Sequence, residues 1–250
     1  MNYSRSELRR LTLADNCNWL RSFGCTAEER GGLTVIDHPW LQEYRAWLFT
    51  GITVQSIEHL KRLVSGRIAG PRTVFVDDDA TSPDVVALLD GARGVGGNVT
   101  LAGCVPTRAW SSTTRLVAAQ ADDWQLWSEI YSCGFARHDN ATLDAERWRL
   151  SFASTDVRHW FFVSDNRRVG VCQTTRAAVH GIYSFTLLPE ARGVRTTLNA
   201  VRALLAHVAL ETSPWLYFEV LSQAAIARTR QQSSIGLRTV RALSGYQLPE

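Results

Sequence analysis

The residues with the clearest potential for chemistry in this 250-residue chain lie in one segment, SFTLLPEARGVRTTLNAVRALL, at positions 184–205. An apolar strand stops there at a proline, and a short basic loop then leads into an amphipathic helix. The helix is indicated by apolar residues at helical spacing: Leu198, Val201, Leu204, Leu205 and Val208. A loop that opens a helix leaves backbone N–H groups unpaired at the positive end of the helix dipole. The segment therefore predicts a phosphate site, to which Arg192 and Arg195 add positive charge.

The same segment resembles a known motif. Leu187-Leu188-Pro189-Glu190-Ala191-Arg192-Gly193 is similar to the pyrophosphate-binding segment of the GCN5-related N-acetyltransferase (GNAT) superfamily, V-x-P-E-x-R-G-x-G-x-G/A before a long helix. Further along, Ile235-Gly236-Leu237 stands where that family has L-G-F, and the resemblance covers residues 115–250. Two features depart from the family. Its later loop glycines are replaced by Arg195 and Thr197, and its tyrosine falls on Gln231 or Gln232.

This resemblance implies an N-acyltransferase that moves an acetyl or other acyl group from a thioester to the amine of a small molecule by direct attack. The donor would be acetyl-CoA or another acyl-CoA. The altered loop motivates a second form, in which the acyl group is carried on the phosphopantetheine arm of an acyl carrier protein. The residues expected to bind the donor are Leu187, Leu188, Arg192, Gly193, Val194, Arg195, Thr196 and Thr197. A backbone N–H near Leu187 would stabilise the charge of the tetrahedral intermediate.

Three side chains are candidates for proton transfer. His180 falls near the start of the strand before the loop, where several GNAT enzymes place a base, and a satisfied or exposed histidine is the alternative. Glu219 lies in the apolar run WLYFEVL, where a carboxylate must be paired, protonated or functional, and an ion pair with an arginine is the alternative. Tyr183 is a candidate acid because an amide at 231 or 232 cannot replace the family's tyrosine, and the alternatives are that water protonates the leaving thiolate or that the thiolate leaves without an acid. The loss of that tyrosine and of the loop glycines also motivates another function, a non-catalytic GNAT-like binding or regulatory module.

Hydrophobic periodicity and turn residues predict the elements around these residues. Helices are predicted over 11–23, 54–64, 122–133, 143–154 and 224–233, with a further helix capped by Ser82 and begun by Pro83. Strands are predicted over 33–36, 43–49, 72–76, 98–105, 115–119, 159–164, 169–174, 179–187, 215–221 and 239–248. Asp165-Asn166-Arg167 predicts a tight hairpin turn, and the glycine-rich run at 91–97 is interpreted as a turn.

The order of these elements agrees with the GNAT arrangement, in which the fourth and fifth strands splay apart around the pantetheine of the donor. We therefore expect an α/β protein with the GNAT fold, a mixed, mostly antiparallel central sheet flanked by helices. Residues 106–114, PTRAWSSTT, are the best linker candidate. A weaker similarity in the first half predicts two tandem domains, a degenerate GNAT-like domain at 1–112 and an acyltransferase domain at 113–250.

Composition narrows the partners and the location. The formal net charge is only +3, which gives no nucleic-acid signature. No apolar run approaches the length of a membrane span, and the polar, charged N-terminus is unlike a signal peptide. The five scattered cysteines form no C-x-x-C pair, so we expect no zinc site, and reduced thiols fit a cytoplasmic protein. Among them, Cys172 is expected to serve packing.

Overall fold

The computed structural model describes residues 2–31, 33–39, 45–108, 110–135, 141–221, 226–227 and 235–249. The α-helices are α1 (Arg5–Arg21), α2 (Val54–Val64), α3 (Pro83–Leu88), α4 (Trp124–Phe135), α5 (Ala141–Ala153) and α6 (Val194–Ala209). The strands up to the predicted linker are β1 (Thr26–Arg30), β2 (Leu33–Asp37), β3 (Ala46–Phe49), β4 (Thr73–Asp77) and β5 (Arg93–Cys104). The later strands are β6 (Arg115–Ala118), β7 (Val157–Ser164), β8 (Arg167–Thr175), β9 (His180–Leu187), β10 (Trp215–Val220) and β11 (Arg238–Gln247).

Local signals account for several of these elements. Helix α2 has the predicted bounds, and the Ser82 side chain accepts a hydrogen bond from the Val85 N–H at 3.3 Å, as an N-cap residue should. The hairpin of β7 and β8 turns at Asp165 and Asn166, which have φ angles of 48° and 59°. Two successive residues in this left-handed region favour the tight turn predicted from their sequence.

Helix α1 begins earlier than its apolar pattern predicts, and the reason is a capping box. The Ser4 side chain accepts from the Glu7 N–H at 3.2 Å, while the Glu7 carboxylate accepts from the Ser4 N–H at 2.7 Å. These reciprocal bonds satisfy N–H groups that would otherwise be unpaired at the helix start. The helix therefore extends back to Arg5, and its buried face includes Leu8, Thr12 and Asp15.

Two strand predictions need correction. The interpretation of residues 91–97 as a turn is wrong from Arg93 onward, because β5 begins there. A Cβ atom added at Gly97 would collide with the backbone carbonyl of Leu243 in β11, so glycine permits the close approach of the two strands. Strand β1 was not predicted, since its sequence TAEER has no apolar alternation, and it forms by pairing with β2.

The chain forms two compact units, each made of separate segments. The first takes its described residues from 1–23, 102–218 and 233–238, and the second from 24–101, 219–232 and 239–250. These units are groups of contacting residues. The division into tandem domains at 1–112 and 113–250 remains a prediction.

The sheet of the first unit has the strand order β6-β7-β8-β9-β10. Neighbours from β6 to β9 are antiparallel, whereas β9 and β10 run parallel. Successive residues of β7 lie in two different cores, one on each face of the sheet. Phe161 packs with Trp127 of α4 and Trp148 of α5, whereas Phe162 packs with Leu204 of α6 on the other face. The sheet is thus covered by helices on both faces, because successive side chains of a strand point in opposite directions.

The second unit has its own core. Its strands follow the order β1-β2-β3-β4-β11-β5, with β3 and β4 parallel and β11 antiparallel to β4. Helices α2 and α3 supply Leu60, Leu63 and Val85 to a cluster that includes Trp47 and Phe49. Both units are therefore mixed α/β structures, and most of the strand pairs named here are antiparallel, as the sequence predicted.

Candidate functional site

The predicted phosphate loop connects β9 to α6 on the surface of the first unit. After Leu187 the chain makes a short 3₁₀ turn at Pro189–Ala191, and Gly193 then stands at the N-cap of α6 without a side-chain capping bond. The Thr197 N–H already donates to the Gly193 carbonyl at 2.9 Å. This leaves the N–H groups of Val194, Arg195 and Thr196, which precede the first intrahelical bond, for a ligand.

Arg192 holds this loop in place. Its guanidinium donates from Nε to the Leu187 carbonyl at 3.2 Å and from Nη2 to the carbonyl of Gly134 near the end of α4. A cation at this position also interacts favourably with the negative, C-terminal end of the α4 dipole. The sequence predicted that Arg192 adds positive charge to bind a phosphate. The structure gives Arg192 a second role, because its side chain ties the loop to β9 and to α4.

A polar, basic pocket of about 240 Å³ lies beside the first turns of α6. It is lined by Ser111, Ser112, Thr113, Arg195, Leu198, Asn199 and Arg202. The Ser112 hydroxyl donates to the Asn199 carbonyl at 2.8 Å, and the Asn199 amide donates to the Thr113 hydroxyl at 2.7 Å. The segment predicted as a linker is thus tied to α6. Among the described residues that line the pocket, two are arginines and none is acidic, which suits an anionic ligand.

Strand β9 is distorted where it meets its two neighbours. Its pairing with β8 shifts register, since Thr186 faces Val171 whereas Tyr183 faces Gln173. Ser184, in the resulting bulge, has a φ of 53°, which is uncommon for a residue with a side chain. On the other side, β9 pairs with β10 only at His180 and Gly181. The two parallel strands therefore part after Gly181, as the GNAT resemblance implies for the pantetheine groove.

The backbone of β9 directs one N–H group into this gap. The Leu188 N–H donates to the Val169 carbonyl of β8 at 2.9 Å. Neighbouring residues of a strand direct their N–H groups to opposite edges, so the Leu187 N–H is directed away from β8 and toward the edge where β10 departs. The GNAT resemblance implies that a backbone N–H near Leu187 binds the thioester carbonyl oxygen.

Buried polar side chains fix the bulge. The Ser184 hydroxyl and the Trp19 indole both donate to Oε1 of Gln173, at 2.9 and 3.1 Å. The Gln173 amide nitrogen in turn lies 3.0 Å from the Ser151 hydroxyl and 2.8 Å from Nε2 of His159. Burial lowers the pKa of His159 to about 3, so the imidazole is neutral and its Nε2 can accept a hydrogen bond from the Gln173 amide.

A second buried network joins α1 to the point where β9 and β10 part. Oδ2 of Asp15 accepts from the Tyr217 hydroxyl at 2.8 Å and from the Thr175 hydroxyl at 2.6 Å. The Tyr183 and Tyr217 hydroxyls are hydrogen-bonded to each other, and the Tyr183 ring stacks on Trp19 with centroids 4.1 Å apart. Sequence analysis found Tyr183 but missed Asp15 and Tyr217.

Gly181 makes room for this second network. A Cβ atom at that position would collide with the Tyr183 ring and lie 2.6 Å from Oδ2 of Asp15 and 2.9 Å from the Tyr217 oxygen. A glycine inside a strand often marks the close approach of another group. This residue, in the run HGIYSF, was the one sequence signal that could have indicated the network.

Burial dominates the electrostatics of the network. It raises the pKa of Asp15 from 3.8 to about 6, although the hydrogen bonds from Thr175 and Tyr217 and the nearby His180 oppose the shift. Burial together with Tyr183 and Asp15 raises the pKa of Tyr217 well above its usual value. The carboxyl group is thus the member of this network that changes its charge near neutral pH.

His180 lies next to the network but is held by the backbone. Its Nδ1 lies 2.9 Å from the Thr175 carbonyl, which can only accept, so Nδ1 carries the proton. Its Nε2 is buried and has no hydrogen-bond partner among the described residues. The residue also lines a pocket of about 380 Å³ with Arg158, Arg176 and Glu211.

Glu219 is held by three groups of the second unit. Its carboxylate accepts from the amide of Asn98 at 3.1 Å and from the hydroxyl of Thr100 at 3.4 Å, and it lies 3.5 Å from the buried guanidinium of Arg241. The ion pair that the sequence offered as the alternative to a catalytic role is present. A buried cation of this kind needs a partner, which favours a structural role for Glu219.

The remaining predictions concern individual groups. Cys172 is fully buried and burial raises the pKa of its thiol, which agrees with packing and makes it a poor nucleophile. Trp127 and Tyr131 of α4 also lie in the core. Gln231 and Gln232 lie outside the described residues.

Within the described parts of the chain, no group of three His, Cys, Asp or Glu side chains could hold a metal ion. Of the helices described above, none has the length and apolar character that a membrane crossing requires.

Comparison with known proteins gives matches in structure alone. No protein-family model and no curated protein matches the sequence. A GCN5-related N-acetyltransferase from Kribbella flavida superposes with a TM-score of 0.60 at 10% identity, covering 96% of both chains. A functionally unknown conserved protein from Staphylococcus epidermidis gives a TM-score of 0.63 at 10% identity, covering 89% of this chain and 93% of its own.

A third match is a tandem GNAT protein from the clavulanic acid biosynthesis pathway. It has a TM-score of 0.54 at 11% identity and covers 87% of this chain and 79% of its own. At such low identity the likeness concerns the fold. The parted strands β9 and β10, the loop after β9 and these superpositions agree, and the chain therefore has the GNAT fold that its sequence resemblance predicted.

Proposed function

We propose that this protein is an N-acyltransferase that moves an acyl group from a phosphopantetheine thioester to the amine of a small molecule. One observation carries the proposal. Strand β9, which forms one side of the gap between β9 and β10, is joined by a short loop to the exposed start of α6. A phosphate group at the helix start would direct the thiol arm toward the Leu187 N–H. The structures of similar fold that are called acetyltransferases support acyl transfer as the reaction class.

The donor would be held mainly by the loop. The N–H groups of Val194, Arg195 and Thr196 would bind phosphate oxygens with the help of the helix dipole. We assign the basic pocket beside them, with the Arg195 and Arg202 side chains, to a further anionic group of the donor. These groups suit acetyl-CoA or another acyl-CoA, which carries phosphates beyond the pantetheine.

The reaction would proceed by direct attack. The amine nitrogen forms a bond to the thioester carbon while the carbonyl electrons move onto oxygen, where the Leu187 N–H stabilises the charge. When the carbonyl reforms, the carbon–sulfur bond breaks and the sulfur leaves with its electron pair. The amine loses one proton and the sulfur gains one, so the products are an amide and a free thiol. Holding both reactants in one cleft supplies much of the rate.

Among the three candidates for proton transfer, the geometry favours Tyr183. Its ring lies where β9 and β10 part, and its hydroxyl belongs to a connected network. His180 donates from Nδ1 to the backbone and its Nε2 is enclosed, while Glu219 is paired with Arg241. We keep His180 and Glu219 as further candidates for the base.

Donor binding is the first test. We expect calorimetric titration to show binding of acetyl-CoA, and Arg192→Ala and Arg195→Ala to weaken it by about tenfold or more, as the loss of a charged hydrogen bond predicts. Arg149→Ala is the matched control, because Arg149 forms an exposed ion pair with Glu146 on α5 and belongs to neither the loop nor the basic pocket. Equal affinity in all four proteins would contradict the site.

The same titration separates the alternatives. No binding of CoA thioesters, combined with turnover of an acylated carrier protein, would favour the carrier-bound donor. Tight binding of acetyl-CoA without acyl transfer to any member of an amine library would favour the non-catalytic binding module, which Arg195 and Thr197 in place of the family's glycines also motivate.

Two further assignments remain proposals. We propose that the chain consists of two tandem GNAT-like domains, since the tandem GNAT protein covers 87% of its length. We also propose that the protein is cytoplasmic, because its five cysteines are odd in number, scattered and without a C-x-x-C pair, which suits reduced thiols.

A further inference from the structure

We infer that Asp15 of α1 is the final proton acceptor of the acyl transfer, connected to the reacting amine through the hydroxyl groups of Tyr217 and Tyr183. The inference rests on the proposed function and adds to it a residue that neither the GNAT resemblance nor the sequence indicated. It is carried by a continuous chain of hydrogen bonds from the interior to the point where β9 and β10 part.

The chemistry of the groups fixes the direction of these hydrogen bonds. A carboxylate can only accept, so Tyr217 donates its proton to Asp15 at 2.8 Å. The Tyr217 oxygen is then available as an acceptor, and the Tyr183 hydroxyl donates to it. The Asn16 amide donates to the Tyr183 oxygen at 3.4 Å. Each hydroxyl thus passes its own proton inward while its oxygen can accept another from outside.

Tyr183 is the most exposed of the three residues. Tyr217 is fully buried and Asp15 is 3% exposed, whereas Tyr183 is 8% exposed. Tyr183 is therefore the member nearest to a ligand in the gap, and its ring is held by stacking on Trp19.

The proton steps balance. After attack, the positively charged amine gives one proton to the Tyr183 oxygen, Tyr183 gives its own proton to Tyr217, and Tyr217 gives its own to the Asp15 carboxylate. Both tyrosines end as neutral hydroxyls and Asp15 ends as a neutral acid. When the carbon–sulfur bond breaks, the reverse series of transfers delivers a proton to the thiolate, and Asp15 is a carboxylate again for the next turnover.

The groups that face Asp15 set its pH dependence. They are Tyr217 from β10, His180 and Tyr183 from β9, and the uncharged Thr175 from β8. Asp15 must be ionised to accept a proton, so turnover should rise with pH through the pKa of its carboxyl group, which burial places at about 6. His180 would lower that value whenever it is protonated.

The test is the pH profile of kcat in Asp15→Asn and Tyr217→Phe, with Tyr246→Phe as control because Tyr246 packs against the core of the second unit. We expect kcat to fall by about 100-fold or more in both variants, which is the usual contribution of a proton-transfer group to the rate. The rise of kcat with pH near pH 6 should also disappear. Binding of acetyl-CoA should be unchanged. A merely structural role would leave the shape of the pH profile intact.

A measurement without substrate covers variants that fold poorly. In the wild-type protein, the NMR signals of the Asp15 carboxyl and of the Tyr183 ring should shift together with one midpoint as the pH is varied. In Tyr183→Phe, which keeps the ring stacked on Trp19, the midpoint of Asp15 should change. Independent midpoints in the wild-type protein would overturn the inference.

The outcomes distinguish this inference from the proposed function. If the wild type acylates amines and both variants keep its rate and pH profile, the relay is wrong and the transferase stands. If the wild type binds acetyl-CoA but acylates no amine, the transferase proposal fails and the catalytic role of Asp15 fails with it. If the rate and the pH-dependent rise are lost in both variants while donor binding persists, both proposals are supported.

Discussion

The substitution Asp15→Asn should change how stability depends on pH, whether or not the protein is an enzyme. Asparagine has nearly the shape of aspartate and can still accept the hydrogen bond from Tyr217, but it has no charge to bury. Asp15 of the wild type is 3% exposed, so the comparison measures the cost of keeping an ionised group in the interior.

The magnitude follows from linkage. In the folded chain the pKa of Asp15 is raised from 3.8 to about 6, so between these values the folded state binds more protons than the unfolded state. The free energy of unfolding therefore contains a favourable contribution that is complete below pH 4 and is lost as the pH rises through 6. At about 1.4 kcal/mol for each pKa unit, the loss amounts to about 3 kcal/mol.

The assay is urea unfolding of the wild type and Asp15→Asn at a series of pH values from 4 to 7.5. The variant should gain about 2.5 kcal/mol relative to the wild type across this range, because part of the full difference already lies below pH 4. The amide also disturbs the bond from Thr175, at a cost of about 1–3 kcal/mol that does not depend on pH. His159 contributes in the opposite direction, because its lowered pKa removes stability as the pH falls, but this contribution is the same in both proteins.

A difference between the two proteins that stays constant from pH 4 to 7.5 would refute the reasoning, since it would mean that burial does not penalise the charge of Asp15. A difference of the opposite sign would mean that the hydrogen bonds outweigh burial. The slope of the free energy against urea should be equal in the two proteins, which confirms that the same surface unfolds.

Two further predictions concern the same unit. Gly181→Ala should lower the free energy of unfolding by about 1–3 kcal/mol, because the added Cβ collides with the Tyr183 ring. Gly51→Ala, whose Cβ meets nothing within 4 Å, should have little effect; if chemical denaturation shows equal effects, the network does not fill the space at Gly181. The His159 imidazole should remain neutral as the pH is lowered to about 4, because burial lowers its pKa and the Gln173 amide donates a hydrogen bond to it. Its NMR signals should therefore show no titration above that pH, and a midpoint near 6.5 would contradict the buried hydrogen bond.

Much of the first unit could be predicted from the sequence because its signals are local. The hairpin turn at Asp165 and Asn166 depends on two residues that tolerate the left-handed region, and α6 on apolar residues at helical spacing. The segment from Leu187 to Gly193 identified the fold by its resemblance to the GNAT motif. Each of these features involves residues close together in the chain, so no knowledge of the tertiary structure was needed.

The predictions that failed depend on distant partners. Strand β1 has polar residues and exists through its pairing with β2, while the strand at Arg93–Gly97 lies against β11 from the far end of the chain. Pattern analysis assigns glycines to turns, but a glycine in a strand can equally serve the close approach of another backbone. The role of Arg192 in tying the loop to Gly134 could not be predicted for the same reason.

The sequence by itself predicted the class of fold, the position of the loop proposed to bind phosphate and the absence of strong net charge, since composition, periodicity and short motifs carry that information. Only the tertiary structure decided which side chains meet. Asp15 and Tyr217 are 202 positions apart, and they form one hydrogen bond only because α1 packs where β9 and β10 part. Burial then changes the chemistry of the carboxyl group, because the energy of a charge depends on its surroundings and not on its residue type.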